Sequence, residues 1–263
     1  MRHDGIIVRL DAMIVSGNAA GSVYAASQQR TCDLLGIEYR LHELPPDSTE
    51  STVMDMVATL NADKAVHAIM VHLPLPEDIS VDLVQSSIDV IKDVEGVNPA
   101  NIGNVIYGRR SLVPCTALAT MQMIESTGVE LAGKTVVCVG ASRIVGKPVA
   151  VLLMQAEATV VSTNVHTPDL ASFTREADVV VTAAGVPGLL TGDMIKPGSV
   201  VVDVGINRIS DPDTGRTRTV GDVDFDSVSQ IAAWVSPVPG GVGPMTVAML
   251  LRNTVDAADA STG

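Results

Sequence analysis

The sequence predicts an α/β protein with two domains, the second of which is a Rossmann-like, doubly wound parallel sheet. Three observations carry this prediction: the length, the alternation of short Val/Ile-rich runs with helix-like stretches, and a glycine turn that follows one of these runs. The 263 residues, 46% of them hydrophobic, suffice for one or two domains with buried cores. Strands that alternate with helices at this spacing form βαβ units, and βαβ units give a mainly parallel sheet.

The first half of the chain alternates predicted strands with predicted helices. Strands are expected at residues 6–10, 39–44 and 68–71, since these runs are short and apolar or alternating. A helix is predicted over 19–35, ending at a glycine, and another from the polar residues 47–50 through Leu60. The apolar face predicted for the first helix consists of Ala20, Val23, Ala26 and Leu34.

The second half repeats the pattern after a change of texture. Residues 99–110 are predicted to form a loop and 116–126 a helix. Four strands are predicted, at residues 135–139, 159–162, 179–183 and 199–204. We expect a folate or substrate domain at 1–114, completed by a C-terminal helix at 245–263, and a nucleotide-binding domain at 115–244.

Charge and composition exclude several classes of protein. The net charge of -13 and the 2% aromatic content disfavour nucleic-acid binding. No run is long enough to span a membrane and the polar start is not a signal peptide, so a cytoplasmic protein is expected. Neither the cysteines nor the scattered histidines have metal-ligand spacing, so we expect no metal site and surface or capping roles for the histidines. These residues are Cys32, Cys115 and Cys138, with His3, His42, His67 and His166.

A glycine turn after the predicted strand at 135–139 indicates a nucleotide site. Gly140 ends the strand and Gly146 lies early in the next helix, where unpaired backbone N–H groups can hold a pyrophosphate. The G-x-S-x-x-x-G spacing is not the standard G-x-G-x-x-G, and a βα turn without a ligand remains the alternative. Glycines also follow the strands near 183 and 203, and three such turns at one sheet edge favour a nucleotide crevice. Asp203 is either part of this site or an ordinary turn residue.

With these segments in view, the chain resembles the methylenetetrahydrofolate dehydrogenase/cyclohydrolase family. Its most specific motif, Pro-Gly-Gly-Val-Gly-Pro-Met-Thr, stands intact at 239–246, although by itself this loop could be only a turn before the last helix. The other matching segments, in order along the chain, are 73–76, 114–116, 203–207 and 221–223. The resemblance implies a folate cleft between the two domains, a nicotinamide cofactor on the second, and a homodimer formed through the cofactor domain. From the resemblance, we expect the helix usual in the family before the first strand to be missing.

The departures from the family pattern lie on the folate side. The family's acid–base lysine lies four residues after a tyrosine; here the tyrosine is Tyr24 and the fourth residue on is Gln28, which has no titratable proton near neutral pH. The glutamine usual before Leu-Pro-Leu-Pro is His72, and the family aspartate is Glu95. His72 could act as an acid–base group or only hydrogen-bond the pterin or Tyr24.

These departures predict dehydrogenation with weak or absent cyclohydrolase activity. Hydride transfer needs placement of two carbons rather than a protein base, whereas hydrolysis needs proton transfers. Two alternatives stay open: a family member acting on a different folate adduct, and a folate-binding protein without turnover. The candidate catalytic residues are Tyr24, Gln28, His72 and Glu95. The same four residues, with Leu73, Pro239, Gly240 and Gly241, are the candidates for folate binding.

The cofactor is predicted to be NAD or NADP, with NAD favoured. A 2′-phosphate needs a cation or several donors beside the ribose, and Val165 with His166 is a poor match. Arg143 could bind the pyrophosphate, which both cofactors carry, or a 2′-phosphate. The candidate cofactor-binding residues are Gly140, Ser142, Arg143, Gly146, Val165, His166, Ala184, Gly185, Gly205, Ile206, Gly243 and Thr246.

Overall fold

The structure, a computed structural model, describes residues 2–3, 6–17, 19–109, 112–210 and 217–261. The chain divides into two compact units, each with its own parallel sheet. Unit 1 comprises Met1–Cys115 and Leu250–Gly263, and unit 2 comprises Thr116–Met249. The prediction of a two-part α/β fold with a Rossmann-like second part is confirmed.

In unit 1, the described residues form a parallel sheet with strand order β4-β3-β5 and a short antiparallel pair, β1 with β2. The strands are β1 (Arg2–His3), β2 (Ile6–Ile7), β3 (Arg9–Val15), β4 (Glu38–Leu44) and β5 (Ala68–Val71). The helices are α1 (Ala19–Leu35), α2 (Glu50–Ala62), α3 (Val81–Ser87) and α4 (Pro99–Ile106). The core between this sheet and α2 contains Met13, Val53, Val57 and Ile69.

Unit 2 has a parallel sheet of order β12-β9-β8-β6-β7 and an antiparallel hairpin, β10 with β11, within the described ranges. The strands are β6 (Thr135–Val139), β7 (Thr159–Thr163), β8 (Val179–Thr182), β9 (Val200–Asp203), β10 (Asn207–Ser210), β11 (Thr217–Val220) and β12 (Trp234–Val235). The helices are α5 (Cys115–Ser126), α6 (Gly146–Gln155), α7 (Leu170–Thr174), α8 (Phe225–Val228) and α9 (Val242–Ala260), with a 3₁₀ turn at Gly192–Met194. From Leu250 onward α9 belongs to unit 1. Its predicted extension over residues 262–263 lies outside the described residues.

The strand predicted at 6–10 covers β2 and only the first two residues of β3, which continues to Val15. The main strand, β3, is buried along its whole length although it contains Arg9 and Asp11. These two side chains share one face of the strand and form an ion pair with 2.6 Å between Arg9 Nε and Asp11 Oδ2. The pairing compensates for the burial of both charges, so a strand that looks too polar for a core fits inside one.

The predicted loop at 99–110 is wrong, because most of it is helix α4. Pro99 opens the helix, where its missing N–H costs nothing, and the Asn98 side chain accepts a hydrogen bond from Ala100 N at 2.8 Å. Arg110, at the end of the predicted loop, lies outside the described residues.

The apolar face predicted for α1 is wrong at Ala26 and Leu34. Ala26 and Leu34 are exposed, and nothing is described of the side chains of Ala20 and Val23. The buried stripe consists of Gly21, Ala25, Gln28 and Cys32. These positions recur every three or four residues, so the helical periodicity holds, but a polar side chain occupies one of the core positions.

The predicted surface or capping role of the histidines fails for His67. Its side chain is buried, and Nδ1 accepts a hydrogen bond from Arg9 N at 3.2 Å. His42 is partly buried, with Nε2 2.6 Å from Asp11 Oδ1. The three cysteines are free and buried. No helix among the described residues combines the length and hydrophobicity needed to cross a membrane.

Candidate functional site

In unit 1, the candidate residues gather around the buried stripe of α1. Gln28 is completely buried, and its Nε2 donates to Met70 Sδ at 3.1 Å. Its Oε1 lies 3.5 Å from the hydroxyl of Tyr39 on β4. Tyr24, one turn earlier, is 37% exposed. The sequence therefore predicted correctly that α1 carries both side chains, but it did not show that Gln28 lies below the surface.

His72 follows β5 directly and is held by both its backbone and its ring. Its backbone N–H donates to Met13 O at 2.8 Å, and its Nε2 lies 3.3 Å from the Tyr39 hydroxyl. The Tyr24 ring meets the imidazole edge to face, with ring centroids 5.9 Å apart. Burial lowers the pKa of His72 below its ordinary value, so the ring is neutral at neutral pH.

Tyr39, which the sequence did not indicate as a site residue, links Gln28 to His72. Its place on β4 explains the contact, because Tyr39 pairs with Leu10 on β3 and shares that face of the sheet with Met70 on β5. Helix α1 packs its buried stripe on this face, as the contact of Gln28 with Met70 shows. A tyrosine in a chain with only 2% aromatic residues was the one available signal.

Glu95 comes to the site through an extension of the unit 1 sheet. Ile69 on β5 forms a parallel bridge with Asp93, and Glu95 Oε2 accepts a hydrogen bond from Val71 N at 3.4 Å. Burial, with the charge of Asp93, raises the pKa of Glu95 to about 7. Burial and the negative charge of Glu95 also raise the pKa of Tyr24, which keeps its hydroxyl protonated. Leu73, the remaining candidate in this unit, is exposed.

In unit 2, the glycine turn after β6 is built so closely that side chains do not fit. Gly140 has a φ of +105°, and a Cβ there would collide with the carbonyl oxygen of Ala183. A Cβ on Gly146 would collide with the carbonyl oxygen of Gly140. The Ser142 hydroxyl accepts a hydrogen bond from Gly146 N at 3.1 Å, at the first turn of α6. Arg143 is exposed beside it.

The second glycine turn, after β8, is held by one buried carboxylate. Asp222 accepts hydrogen bonds from three consecutive backbone N–H groups: Ala184 at 2.6 Å and Gly185 and Val186 at 3.0 Å each. Asn207 Nδ2 donates to the same carboxylate at 2.8 Å. The sequence showed Asp222 only as part of a matching segment, since its partners lie 36–38 residues away.

Asp203 has the same function for the turn after β9. Its carboxylate accepts hydrogen bonds from the N–H groups of Gly205, Asp222 and Val223 at 2.9–3.0 Å and from the Thr182 hydroxyl at 3.0 Å. Burial raises the pKa of Asp203, and these donors counteract the rise. Asp203 is therefore a buried support of the glycine turns and not an ordinary turn residue.

The other cofactor candidates are mostly exposed at the carboxyl ends of the strands. Val165 and Ile206 are 91% and 68% exposed, unusual values for apolar side chains. His166 is exposed in a turn where its backbone N–H donates to Asn164 Oδ1 at 2.9 Å. On α9, Gly243 is exposed, and the Thr246 hydroxyl donates to Val242 O at 3.1 Å.

The candidate loop before α9 shows two different uses of glycine. Gly240 has a φ of +107° and is exposed, so it turns the chain. Gly241 is buried, and a Cβ there would lie 2.5 Å from the carbonyl oxygen of Pro237. Pro239 is exposed next to them.

The arrangement in unit 2 fits a dinucleotide. Strand order reverses at β6, with β7 on one side and β8 on the other, and open parallel sheets bind ligands at such a switch point. The turns after β6 and β8 meet there, as the proximity of Gly140 to Ala183 shows. The backbone at the start of α6 and the exposed apolar side chains of Val165 and Ile206 provide groups for a pyrophosphate and for flat rings.

The fold and these turns define the class: a two-part α/β protein whose second part is a Rossmann-like dinucleotide-binding unit. Comparison with known proteins identifies the family. Residues 1–95 match the model "Tetrahydrofolate dehydrogenase/cyclohydrolase, catalytic domain", and residues 114–262 match "Tetrahydrofolate dehydrogenase/cyclohydrolase, NAD(P)-binding domain". The chain belongs to the tetrahydrofolate dehydrogenase/cyclohydrolase family.

Relatives and solved structures agree with this assignment. The "Bifunctional protein FolD" of Moorella thermoacetica is 45% identical over 258 residues, covering 98% of this chain and 90% of the relative. "Bifunctional protein FolD 1" of Myxococcus xanthus is 47% identical, covering 97% and 88%. The FolD structure from Campylobacter jejuni has a TM-score of 0.92 at 43% identity, covering 98% and 90%. That from Trypanosoma brucei, complexed with NADP cofactor and inhibitor, has a TM-score of 0.92 at 39% identity, covering 99% and 89%.

Proposed function

We propose that the protein oxidises 5,10-methylenetetrahydrofolate to 5,10-methenyltetrahydrofolate by hydride transfer to NAD(P), and that it hydrolyses the methenyl product weakly or not at all. The observation that carries the second part is the state of Gln28. This amide stands where the family pattern has an acid–base lysine, and it is completely buried against Met70 and Tyr39. An amide has no titratable proton near neutral pH.

The two chemical steps make different demands on the protein. A nicotinamide would supply the hydride acceptor for the first step, so this chain would only have to bind and align the two ligands. In the second step water loses a proton and a ring nitrogen gains one, which calls for a titratable group. Loss of the lysine therefore affects hydrolysis more than oxidation.

We assign binding roles along the same lines. Tyr24, Gln28, His72, Leu73 and Glu95 in unit 1, and Pro239, Gly240 and Gly241 in unit 2, bind the folate. The turns that contain Gly140, Ser142, Arg143, Gly146, Ala184, Gly185, Gly205 and Ile206 bind the nucleotide, with Val165, His166, Gly243 and Thr246. We also infer a cytoplasmic homodimer formed through unit 2.

The residues that we assign to the adenosine ribose favour NAD as the cofactor. The side chain of Val165 is almost fully exposed and has no donor for a 2′-phosphate, and the backbone N–H of His166 donates to Asn164 within the turn, which leaves only the His166 imidazole to meet such a group. The Trypanosoma brucei relative was solved with NADP, so NADP is the cofactor to compare.

Glu95 supports a second candidate function, in which the protein retains cyclohydrolase activity. A carboxyl whose pKa is about 7 is half protonated at neutral pH and can transfer a proton in either direction. The similar proteins from Moorella thermoacetica and Myxococcus xanthus are named bifunctional. In this case Glu95 takes over the task of the lysine.

One pair of assays tests both candidates. Purified protein receives methylenetetrahydrofolate with NAD or with NADP, and methenyl formation is followed; separately, it receives the methenyl compound and hydrolysis is followed. We expect methenyl product to accumulate, faster with NAD, with hydrolysis near the uncatalysed rate and increased in Gln28→Lys.

Other outcomes identify the alternatives. Hydrolysis far above the uncatalysed rate that is lost in Glu95→Gln establishes the second candidate. Folate binding without methenyl formation with either cofactor contradicts both candidates and indicates a binding protein or a different folate adduct. The exposed Glu77, changed to Gln, serves as the matched control for the charge change.

A further inference from the structure

One hydroxyl group lies within reach of two residues that we assign to the folate site. Tyr39 Oη is 3.3 Å from His72 Nε2 and 3.5 Å from Gln28 Oε1. We propose that Tyr39 is a positioning residue that accepts a hydrogen bond from His72 and donates one to Gln28, which fixes His72 as its Nε2–H tautomer. The identity of the ligand in this inference rests on the proposed function, whereas the hydrogen-bond geometry does not.

The direction of these hydrogen bonds follows from the contact between Gln28 and Met70. A thioether sulfur accepts hydrogen bonds and cannot donate them, so the Gln28 group that faces Met70 at 3.1 Å is the NH₂. The Gln28 oxygen therefore faces Tyr39, and since a carbonyl oxygen only accepts, the Tyr39 hydroxyl donates to it. A hydroxyl has one hydrogen, so toward His72 it can only accept, and Nε2 must carry the hydrogen.

Burial keeps this chain of hydrogen bonds in place. Gln28 and His72 are 0% and 2% exposed, so water does not compete freely for their polar atoms. Burial also raises the pKa of Tyr39, which keeps its hydroxyl protonated and able to donate. The contact of Tyr39 with Gln28 is longer than the roughly 2.7–2.8 Å usual for O–H···O, and that with His72 is longer than the roughly 2.9–3.0 Å usual for N–H···O. Such long contacts are common in sites whose hydrogen bonds tighten when a ligand binds.

The tautomer decides which nitrogen of His72 can do chemistry. With Nε2–H committed to Tyr39, Nδ1 holds the free electron pair and is the nitrogen that binds a proton or accepts a hydrogen bond from the ligand. A proton taken up at Nδ1 gives the imidazolium and leaves the bond from Nε2–H to Tyr39 intact. Tyr39 thus orients the base and does not itself exchange a proton with it.

The test measures the tautomer of His72 directly. In ¹⁵N-labelled protein without ligands, the two ring nitrogens of neutral His72 are distinguished by NMR, and the signals are assigned by their loss in His72→Asn. We expect Nε2–H to predominate in the unmodified protein. Tyr39→Phe removes one hydrogen-bond acceptor and should lower the ratio of Nε2–H to Nδ1–H about threefold to tenfold.

Another tyrosine of the chain provides the matched control. Tyr107→Phe makes the same chemical change at a site that is 76% exposed, and it should leave the ratio unchanged. Gln28→Met removes the acceptor of the Tyr39 hydrogen, which then turns to Nε2, so this variant should raise the Nδ1–H form by a similar factor.

The outcomes separate this inference from the proposed function. Predominance of Nδ1–H in the unmodified protein overturns the inference even if every variant fails to fold. An unchanged ratio in folded Tyr39→Phe and Gln28→Met overturns it as well. Because no folate or nicotinamide is present, these results hold whether or not the protein forms methenyltetrahydrofolate, and a failed activity assay leaves them intact.

Discussion

The candidate site in unit 2 is formed mainly by backbone groups, and the candidate site in unit 1 is formed mainly by side chains. In unit 2 the turns are shaped by backbone: glycines approach carbonyl oxygens closely, and the carboxylates of Asp203 and Asp222 hold consecutive N–H groups. In unit 1 the site consists of side chains that contact one another, with Tyr39 linking Gln28 to His72. A backbone site depends on a few fixed residue types, whereas a side-chain site can change its chemistry while the sheet below it stays the same.

This difference matches the departures that the resemblance to the family predicts. According to the resemblance, the motifs that supply turns in unit 2 are intact and the departures fall on Gln28, His72 and Glu95 in unit 1. A TM-score of 0.92 at 43% identity to the Campylobacter jejuni structure shows that the fold is shared. The comparison predicts that changes in unit 2 act through geometry and that changes in unit 1 act through protonation.

The largest effect is expected at Gly146. In Gly146→Ala the new Cβ would collide with the carbonyl oxygen of Gly140, so the turn and the start of α6 must move apart. We expect cofactor affinity to fall about 100-fold or more, because backbone donors placed for a pyrophosphate lose their positions. Isothermal titration with NAD and NADP measures the loss, and folate affinity should be retained.

The control for this change is Gly103→Ala. Gly103 lies in α4, and a Cβ there meets nothing within 4 Å, so both ligands should bind as before. Unchanged cofactor binding in Gly146→Ala would contradict the placement of the nucleotide. Equal loss of both ligands would instead indicate unfolding, which circular dichroism distinguishes.

A smaller effect is expected at Asp222, where one carboxylate holds a whole turn. Asp222→Asn keeps the shape but turns an NH₂ group toward backbone N–H groups, which leaves donors without an acceptor. Hydrogen bonds to charged groups contribute about 1.5–3 kcal/mol, so we expect a loss of this order in unfolding free energy and about tenfold weaker nucleotide binding. Urea denaturation and titration measure the two quantities.

The nearby exposed carboxylate of Asp226 supplies the comparison. Asp226→Asn removes the same charge from the same unit and should change both quantities by less than about 0.5 kcal/mol. If Asp222→Asn behaved in the same way, the turn after β8 would not depend on that carboxylate, and unit 2 would lose its contrast with unit 1.

The sequence predicted most of unit 2 because its signals are local. The strand at 135–139 and the turn that follows it are encoded by consecutive residues, and the structure has β6 over the predicted range. In unit 1, β3 was only partly recognised, although Arg9 and Asp11 lie two residues apart and therefore on one face of a strand. That spacing was a usable signal, since a charge that has a partner on its own strand can be buried.

Tyr39 was beyond prediction for a different reason. Its two partners lie 11 and 33 residues away, on α1 and after β5, and only the register of β4 against β3 brings the three together. The helix at 99–106 lies between these cases. Its start was encoded by Asn98 and Pro99, a capping residue followed by a proline, and the glycine and asparagines within it concealed that signal.

The smallest effect concerns the pH dependence of the unfolding free energy. It tests the contrast between the two units, because it arises from protonation of a side chain in unit 1. Burial raises the pKa of Glu95 to about 7 from an ordinary value of 4.5. Between these two values the folded protein holds a proton that the unfolded chain has released, so the unfolding free energy falls as pH rises through this window. Glu95→Gln cannot ionise and removes this contribution. From pH 6 to pH 8, the unfolding free energy of the unmodified protein should therefore fall relative to that of Glu95→Gln by on the order of 1–2 kcal/mol. The unfolding free energy of Glu77→Gln, the exposed control, should follow the same pH dependence as that of the unmodified protein.

Urea denaturation at several pH values measures the three curves. If the difference between the unmodified protein and Glu95→Gln stayed constant with pH, or changed in the opposite direction, Glu95 would be ionised throughout this pH range. That result would also remove Glu95 as the proton-transfer group of a retained cyclohydrolase.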